Sequence, residues 1–394
     1  MAFAPTEEKI WEKLPKEKAP AITDKEINER YAKGEGRIVI ETNREKLPGF
    51  VASLKTANYM DLRPFYQRRP RWSAAKQSLL IESFIMNIPV PPVFLYEREY
   101  NSYEVMDGQQ RITALRDFYD GKFELEGLKQ WPEINGRTYQ TLPENIHAGL
   151  DRRSLTSIVL LKESTSDEDA ASSLRETVFE RLNTGGVELT RQELRNALYR
   201  GKMNNLVDRL SRAAAFRKAW DIPLYVENEI EVTKGLLEIP MFAKMEDVEL
   251  VLRFFALRHA DNFRGGMQGF LDLYMRKALA FDDADLAVLE KEFNDTLALV
   301  VGVYGDLTFR PYDKDADQWA PGAQKAFYDA VMVGMSAFLG QQQQVVAKKQ
   351  AIVAATIQMF KDQEDGTFTG RGNTKEDVQT RIRLFEEMIA GAIA

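Results

Sequence analysis

Asp107, Gly108, Gln109, Gln110 and Arg111 stand in one unbroken run. It lies between an apolar pair, Val105-Met106, and a stretch that repeats Ile112, Leu115 and Phe118 at helical spacing. The pattern predicts a strand, a tight turn and a helix start. The first backbone N–H groups of a helix lack intrahelical partners, and the aligned peptide dipoles leave partial positive charge there. An anion such as phosphate is stabilised at such a place. Arg111 brings a planar five-donor guanidinium suited to bidentate phosphate binding. Gly108 lets the chain turn with no side chain in the way. An ordinary strand-to-helix turn with solvated amides meets the same local pattern.

Two further polar clusters are flanked by apolar residues. One is Gln67-Arg68, and the other is Phe179-Glu180-Arg181-Leu182-Asn183-Thr184-Gly185-Gly186. Polar groups at the ends of core elements commonly gather in one cleft. Arg68 and Arg111 together can neutralise phosphates, Gly185-Gly186 allows close backbone approach, and Asn183 and the glutamines can hold a base, a ribose or a water. Asp107 can bind Mg²⁺ through water or orient an attacking water. Plainer roles stay open: a surface ion pair for Arg68, a bond from Asp107 to its own backbone, a helix C-cap for Asn183. The segment Arg63 to Trp72 interleaves Arg63, Arg68, Arg69 and Arg71 with three aromatics, a pattern able to meet a DNA backbone.

Composition narrows the chemistry. The 394 residues suffice for two or three domains, with 44% hydrophobic and 29% charged residues. Cysteine is absent, which removes disulfides, thiolate zinc sites, iron–sulfur clusters and cysteine nucleophiles. The two histidines, His147 and His259, are too few for a multi-histidine metal centre or an HNH-type nuclease. Both are expected to be structural, His147 in a loop and His259 at a helix end. Zinc and haem are therefore not expected. A net charge of −7 argues against broad coating of nucleic acid. No apolar run is long enough to cross a bilayer and the start does not read as a signal peptide, so cytoplasmic residence is expected. A Walker A phosphate loop is absent. Asp313-x-Asp315-x-Asp317 imitates the start of a calcium loop, but Gln318 and Gln324 replace the required glycine and glutamate.

The elements that must position these residues follow from periodicity and breakers. The first twenty residues, rich in Lys, Glu and Pro, are expected to be poorly ordered. Thr23-x-x-Glu26 opens a short helix. Strands are expected at 37–41, 93–96, 104–106 and 157–161. A helix capped by Ser73 should run to Ile85 and stop before Pro89. Another should span 167–182, with a capping box at Thr190-x-x-Glu193 opening the next. Beyond that the periodicity is almost wholly helical. The expected class is α+β, with an N-terminal arm and short helix at 1–34, a mixed domain at 35–205 and a helical domain at 206–394.

Taken in order, Phe65-Tyr66-Gln67-Arg68, the helix reaching Ile88-Pro89-Val90-Pro91-Pro92, Val105 to Arg111, Val178 to Gly186, and Arg191 to Tyr199 resemble a known family. It is the DGQQR-type domain of unknown function, the N-terminal domain of GmrSD-type modification-dependent restriction enzymes. The resemblance covers roughly residues 35–200. It implies a ParB/sulfiredoxin-like fold that binds, and in some members hydrolyses, nucleoside triphosphates in bacterial defence against phage. Carried over by motif, Gln67, Arg68, Gly108, Gln109, Phe179 and Asn183 would bind the nucleotide. Asp107, Gln110 and Arg111 would act on it, with Mg²⁺ held through Asp107. Arg63, Arg69 and Arg71 are the candidates for DNA contact. Such restriction enzymes carry a histidine-dependent nuclease domain, for which this chain lacks the histidines. A partner effector protein is therefore expected, with no membrane partner and with a homodimer left open. The alternatives are a DNA-binding adaptor and a Mg²⁺-dependent nuclease subunit.

Overall fold

Leu95 lies opposite Val105 on one neighbouring strand and opposite Val159 on the other, so three buried apolar side chains form one row across a sheet. The computed structural model describes residues 3–11, 23–32, 39–61, 72–161, 178, 191–199, 201–227, 229–233, 235–370 and 372–394. The chain divides into two units, one comprising Glu17–Leu189 and the other Met1–Lys16 with Thr190–Ala394.

The first unit is mixed. Its strands are β1 (Ile40–Lys46), β2 (Met60–Asp61), β3 (Val93–Glu99), β4 (Ser102–Asp107) and β5 (Ser154–Leu160). They lie in the order β1-β5-β3-β4-β2. The β1/β5 and β3/β4 pairs are antiparallel, whereas β3/β5 and β2/β4 are parallel. Its helices are α1 (Asp24–Ala32), α2 (Leu47–Ser53), α3 (Ala74–Ile85), α4 (Gln109–Tyr119) and α5 (Glu144–Asp151). Phe50 and Val51 of α2, Ile81 and Phe84 of α3, Ile112, Leu115 and Phe118 of α4 and Leu150 of α5 close over the apolar row to form one core.

Local rules set the helix ends. The Ser73 hydroxyl accepts from the Lys76 amide at 3.3 Å and caps the start of α3. Arg153 donates to the carbonyls of Phe84 and Ile85 at 3.0 and 3.1 Å and satisfies its other end. The buried Glu82 carboxylate accepts the amides of Gln130 and Trp131 at 2.7 and 3.0 Å, tying down a loop with no ladder of its own.

The second unit is helical apart from a small hairpin, Tyr312–Asp313 against Gln318–Trp319. Its longest helices are Asp283–Tyr304 and Lys375–Ile393. The α+β class holds, with the five-stranded sheet in the first unit and helices dominating the second half. Among the described residues, no helix is long and apolar enough to cross a membrane.

One expectation needs correcting. Residues 3–11 are packed rather than poorly ordered: Ala4 and Glu7 are fully buried within the helical unit. The helical unit takes up the chain again at Thr190. The reason is Arg195, on the helix Arg191–Leu198. Its guanidinium is 1% exposed and meets Asp272 at 2.6 Å, Glu249 at 2.8 Å and the Gln268 side chain, all in the helical unit. A buried guanidinium needs such partners, so its helix goes where the carboxylates are.

Removing this hub strands two carboxylates. Arg195→Met is expected to lower the unfolding free energy by about 3–5 kcal/mol. Arg209→Met, which breaks an exposed pair with Glu290, should cost under about 1 kcal/mol. Urea midpoints of the two variants check the contrast.

Candidate functional site

Strand β4 ends at Asp107, which pairs with Phe94 of β3, and α4 begins two residues later. Gly108 makes the join with φ +95°, in the left-handed region. A Cβ at this position would lie 2.5 Å from Val93 Cγ1, so both the dihedral and the packing require glycine. Gly108 has no side chain with which to cap α4, and the first-turn amides receive no bond from their N-cap residue. The first intrahelical bond runs from the Ile112 amide to the Gly108 carbonyl, at 3.0 Å.

Arg111 folds back over this turn. Its Nη2 donates to Asp107 Oδ2 at 2.8 Å and to the Pro92 carbonyl at 3.3 Å. The guanidinium is mostly enclosed, at 15% exposure, and Nε is buried with no acceptor among the described residues. The Asp107 side chain is half exposed, at 50%. Gln109 is buried and Gln110 half-buried on the first turn of α4. The turn thus gathers helix-start amides, a positioned cation and one accessible carboxylate. An anion arriving at this helix start competes with Asp107 for Arg111.

Five expected site residues, Asp107, Gly108, Gln109, Gln110 and Arg111, occupy this one turn, as their consecutive positions require. Gln67, Arg68, Arg63, Arg69, Arg71, Phe179 and Asn183 lie outside the described residues, as do Gly185 and Gly186. Among the described residues no group of three or more His, Asp or Glu side chains is placed to hold a metal ion. Asp107 offers a single carboxylate, so Mg²⁺ at this turn would depend on phosphate oxygens for much of its coordination.

A second constellation escaped the sequence reading. The hydroxyls of Tyr119 and Tyr139 both donate to Asp151 Oδ1 at 2.9 Å. Their rings stack at 4.2 Å, and His147 packs on Tyr139 at 4.3 Å with Nδ1 3.6 Å from Asp151 Oδ2. His147 sits in α5, not in a loop, because Leu150 and the apolar face beside it bury against the core. Burial, followed by the bonds to Asp151, pushes both phenols well above the ordinary tyrosine range. Neutral phenols donate, so the cluster braces the end of α4 against α5. The faint sequence signal was the i, i+4 spacing of His147 and Asp151.

Residues 51–200 match the family model for the GmrSD restriction endonuclease N-terminal domain. The Asp107–Arg111 turn lies within this segment, which carries a domain of that family. No curated protein and no solved structure matches the chain.

Two outcomes follow from the geometry. Gly108→Ala is expected to destabilise the fold by about 1–3 kcal/mol through the left-handed turn and the Val93 clash, measured by thermal or urea unfolding. In the folded protein, Tyr119 and Tyr139 should fail to ionise as pH passes 10 while exposed tyrosines do. Because their folded values are raised, the stability they contribute is present below pH 10 and falls as pH rises toward those values. Phenolate absorbance in wild type and in Tyr119→Phe/Tyr139→Phe checks this: the variant should lose none of the signal seen between pH 10 and 11.

Proposed function

We propose that residues 51–200 form a nucleoside-triphosphate-binding module of a restriction-type defence system that acts on phage or other foreign DNA. One observation carries the reading. The family domain presents a helix start with no side-chain cap, and Arg111 is fixed directly beside it. Helix dipole, amides and guanidinium together favour a polyphosphate. Mg²⁺ would enter with the nucleotide, and Asp107, Gln110 and Arg111 are the residues to act on it if it is hydrolysed. Gln67, Arg68, Phe179 and Asn183 complete the proposed pocket by motif.

Cutting of DNA is assigned to a partner effector. Both histidines are already engaged, His147 against Tyr139 and Asp151 and His259 against Glu7 and Tyr274. With two histidines in the whole sequence, this chain alone does not assemble a multi-histidine nuclease centre. The cytoplasm is the compartment in which such a system meets its DNA. A second reading is favoured by the family's restriction context and by Arg63, Arg69 and Arg71: direct DNA contact by that segment. Its affinity would fall steeply with salt, because phosphate contacts release counterions.

Titration of ATP, GTP and CTP with Mg²⁺ against wild type and Arg111→Ala tests the reading. Loss of one charge-assisted phosphate contact should weaken binding by roughly ten- to a hundredfold, about 1.5–3 kcal/mol. Absence of binding in wild type, or equal affinity in the variant, overturns it.

A further inference from the structure

Glu7 is fully buried in the helical unit, whereas the Asp107–Arg111 turn belongs to the mixed unit. Its Oε1 faces His259 Nε2 at 2.9 Å, accepts the Tyr274 hydroxyl at 2.9 Å and lies 3.6 Å from Arg258 Nη1. Its Oε2 accepts the Ala4 amide at 3.1 Å. Burial works against this carboxylate, but His259 and Arg258 outweigh it and hold the group below the usual carboxyl range. Two aromatic anchors flank it at four-residue intervals. Phe3 stacks on His259 at 4.6 Å with the Arg258 guanidinium over its ring, and Trp11 stacks on Phe270 at 5.7 Å with Lys277 over its ring. Between them, the Thr6 amide donates to Asp285 Oδ1 at 3.0 Å, and the Lys277 ammonium donates to the Ile10 carbonyl.

Arg258, His259 and Tyr274 converge on one carboxylate from a helix end and from a neighbouring helix, with aromatic seats on either side. We propose that these three residues form a carboxylate-recognition pocket of the helical unit, and that residues 3–11 are its intramolecular ligand, a strap read by its Phe-x₃-Glu-x₃-Trp spacing. The connectivity gives the strap a consequence. The mixed unit begins at Glu17 and ends at Leu189, so it is an insertion between the strap and the remainder of the helical unit. Seating the strap closes residues Glu17–Leu189 into one long loop of chain, at the entropic cost that loop closure carries.

The test uses the full chain. In Glu7→Ala the pocket loses its carboxylate but keeps Arg258, His259 and Tyr274. Propionate should then raise the Tm by mass action, whereas chloride at equal ionic strength should not, and wild type should respond to neither. Phe3→Ala keeps Glu7 but removes one anchor. Hydrogen exchange of the Glu8 and Lys9 amides, which bond back to Ala4 and Thr6, should accelerate by at least about tenfold. Amides of β3 and β5 should stay as in wild type. The Phe3→Ala measurement decides the matter if Glu7→Ala does not fold. Propionate no better than chloride, or Glu8 and Lys9 exchange unchanged in Phe3→Ala, overturns the proposal. Neither result depends on nucleotide binding at Arg111.

Discussion

The contact of Gly108 with Val93 is the constraint on which the candidate site rests. A side chain at position 108 has no room above the central strand β3, and no L-residue adopts the required φ of +95° without strain. Because the turn is this tight, α4 begins directly over the ends of β3 and β4. Its Ile112, Leu115 and Phe118 can then bury in the core while Asp107 and Gln110 keep access to solvent. Arg111, within the first turn of the helix, is brought back against Asp107 and Pro92. The same backbone geometry that packs the sheet also sets the start of α4 beside the Arg111 guanidinium.

The two units settle their stability differently. In the mixed unit the core is apolar, and polar side chains serve as helix caps, as Ser73 and Arg153 do, or tie down a loop, as Glu82 does. In the helical unit several helices are held by buried ions. Arg195 joins Glu249 and Asp272, Arg253 grips both oxygens of Asp329, Arg217 grips both of Glu229, and Glu7 sits among Arg258, His259 and Tyr274. Desolvating such groups offsets much of their attraction, so their net stabilisation is modest. What they supply is specificity: a guanidinium left without its carboxylate is costly, and each pair therefore admits one helix register.

Features that depend on neighbours in the chain were readable from residues alone. The Ser73 cap, the strands through Val93 and Val105, and the stop of α3 ahead of Pro89 all rest on local backbone chemistry. Helix α5 was missed because its eight residues are too few for a clear period. The Tyr119–Tyr139–Asp151 brace was missed because its partners lie up to 32 positions apart and nothing in their spacing announces them. Residues 3–11 were misread for a different reason. Their polar neighbours resemble those of a solvated tail, yet Phe3, Glu7 and Trp11 recur every four residues, the period of one face on a helical turn.

Sequence by itself determined the chemistry available at the candidate site, from the glycine that permits the turn to the arginine and carboxylate beside it. It also set the α+β class and the removal of all thiol chemistry, since these depend on residue type and short-range order. Tertiary structure decided what each charge does. It gave Arg111 to Asp107, Arg195 to the helical unit and Glu7 to a pocket more than 250 residues away in the chain. An ion's partner is chosen by which groups share its desolvated space, and that space exists only after the chain has folded.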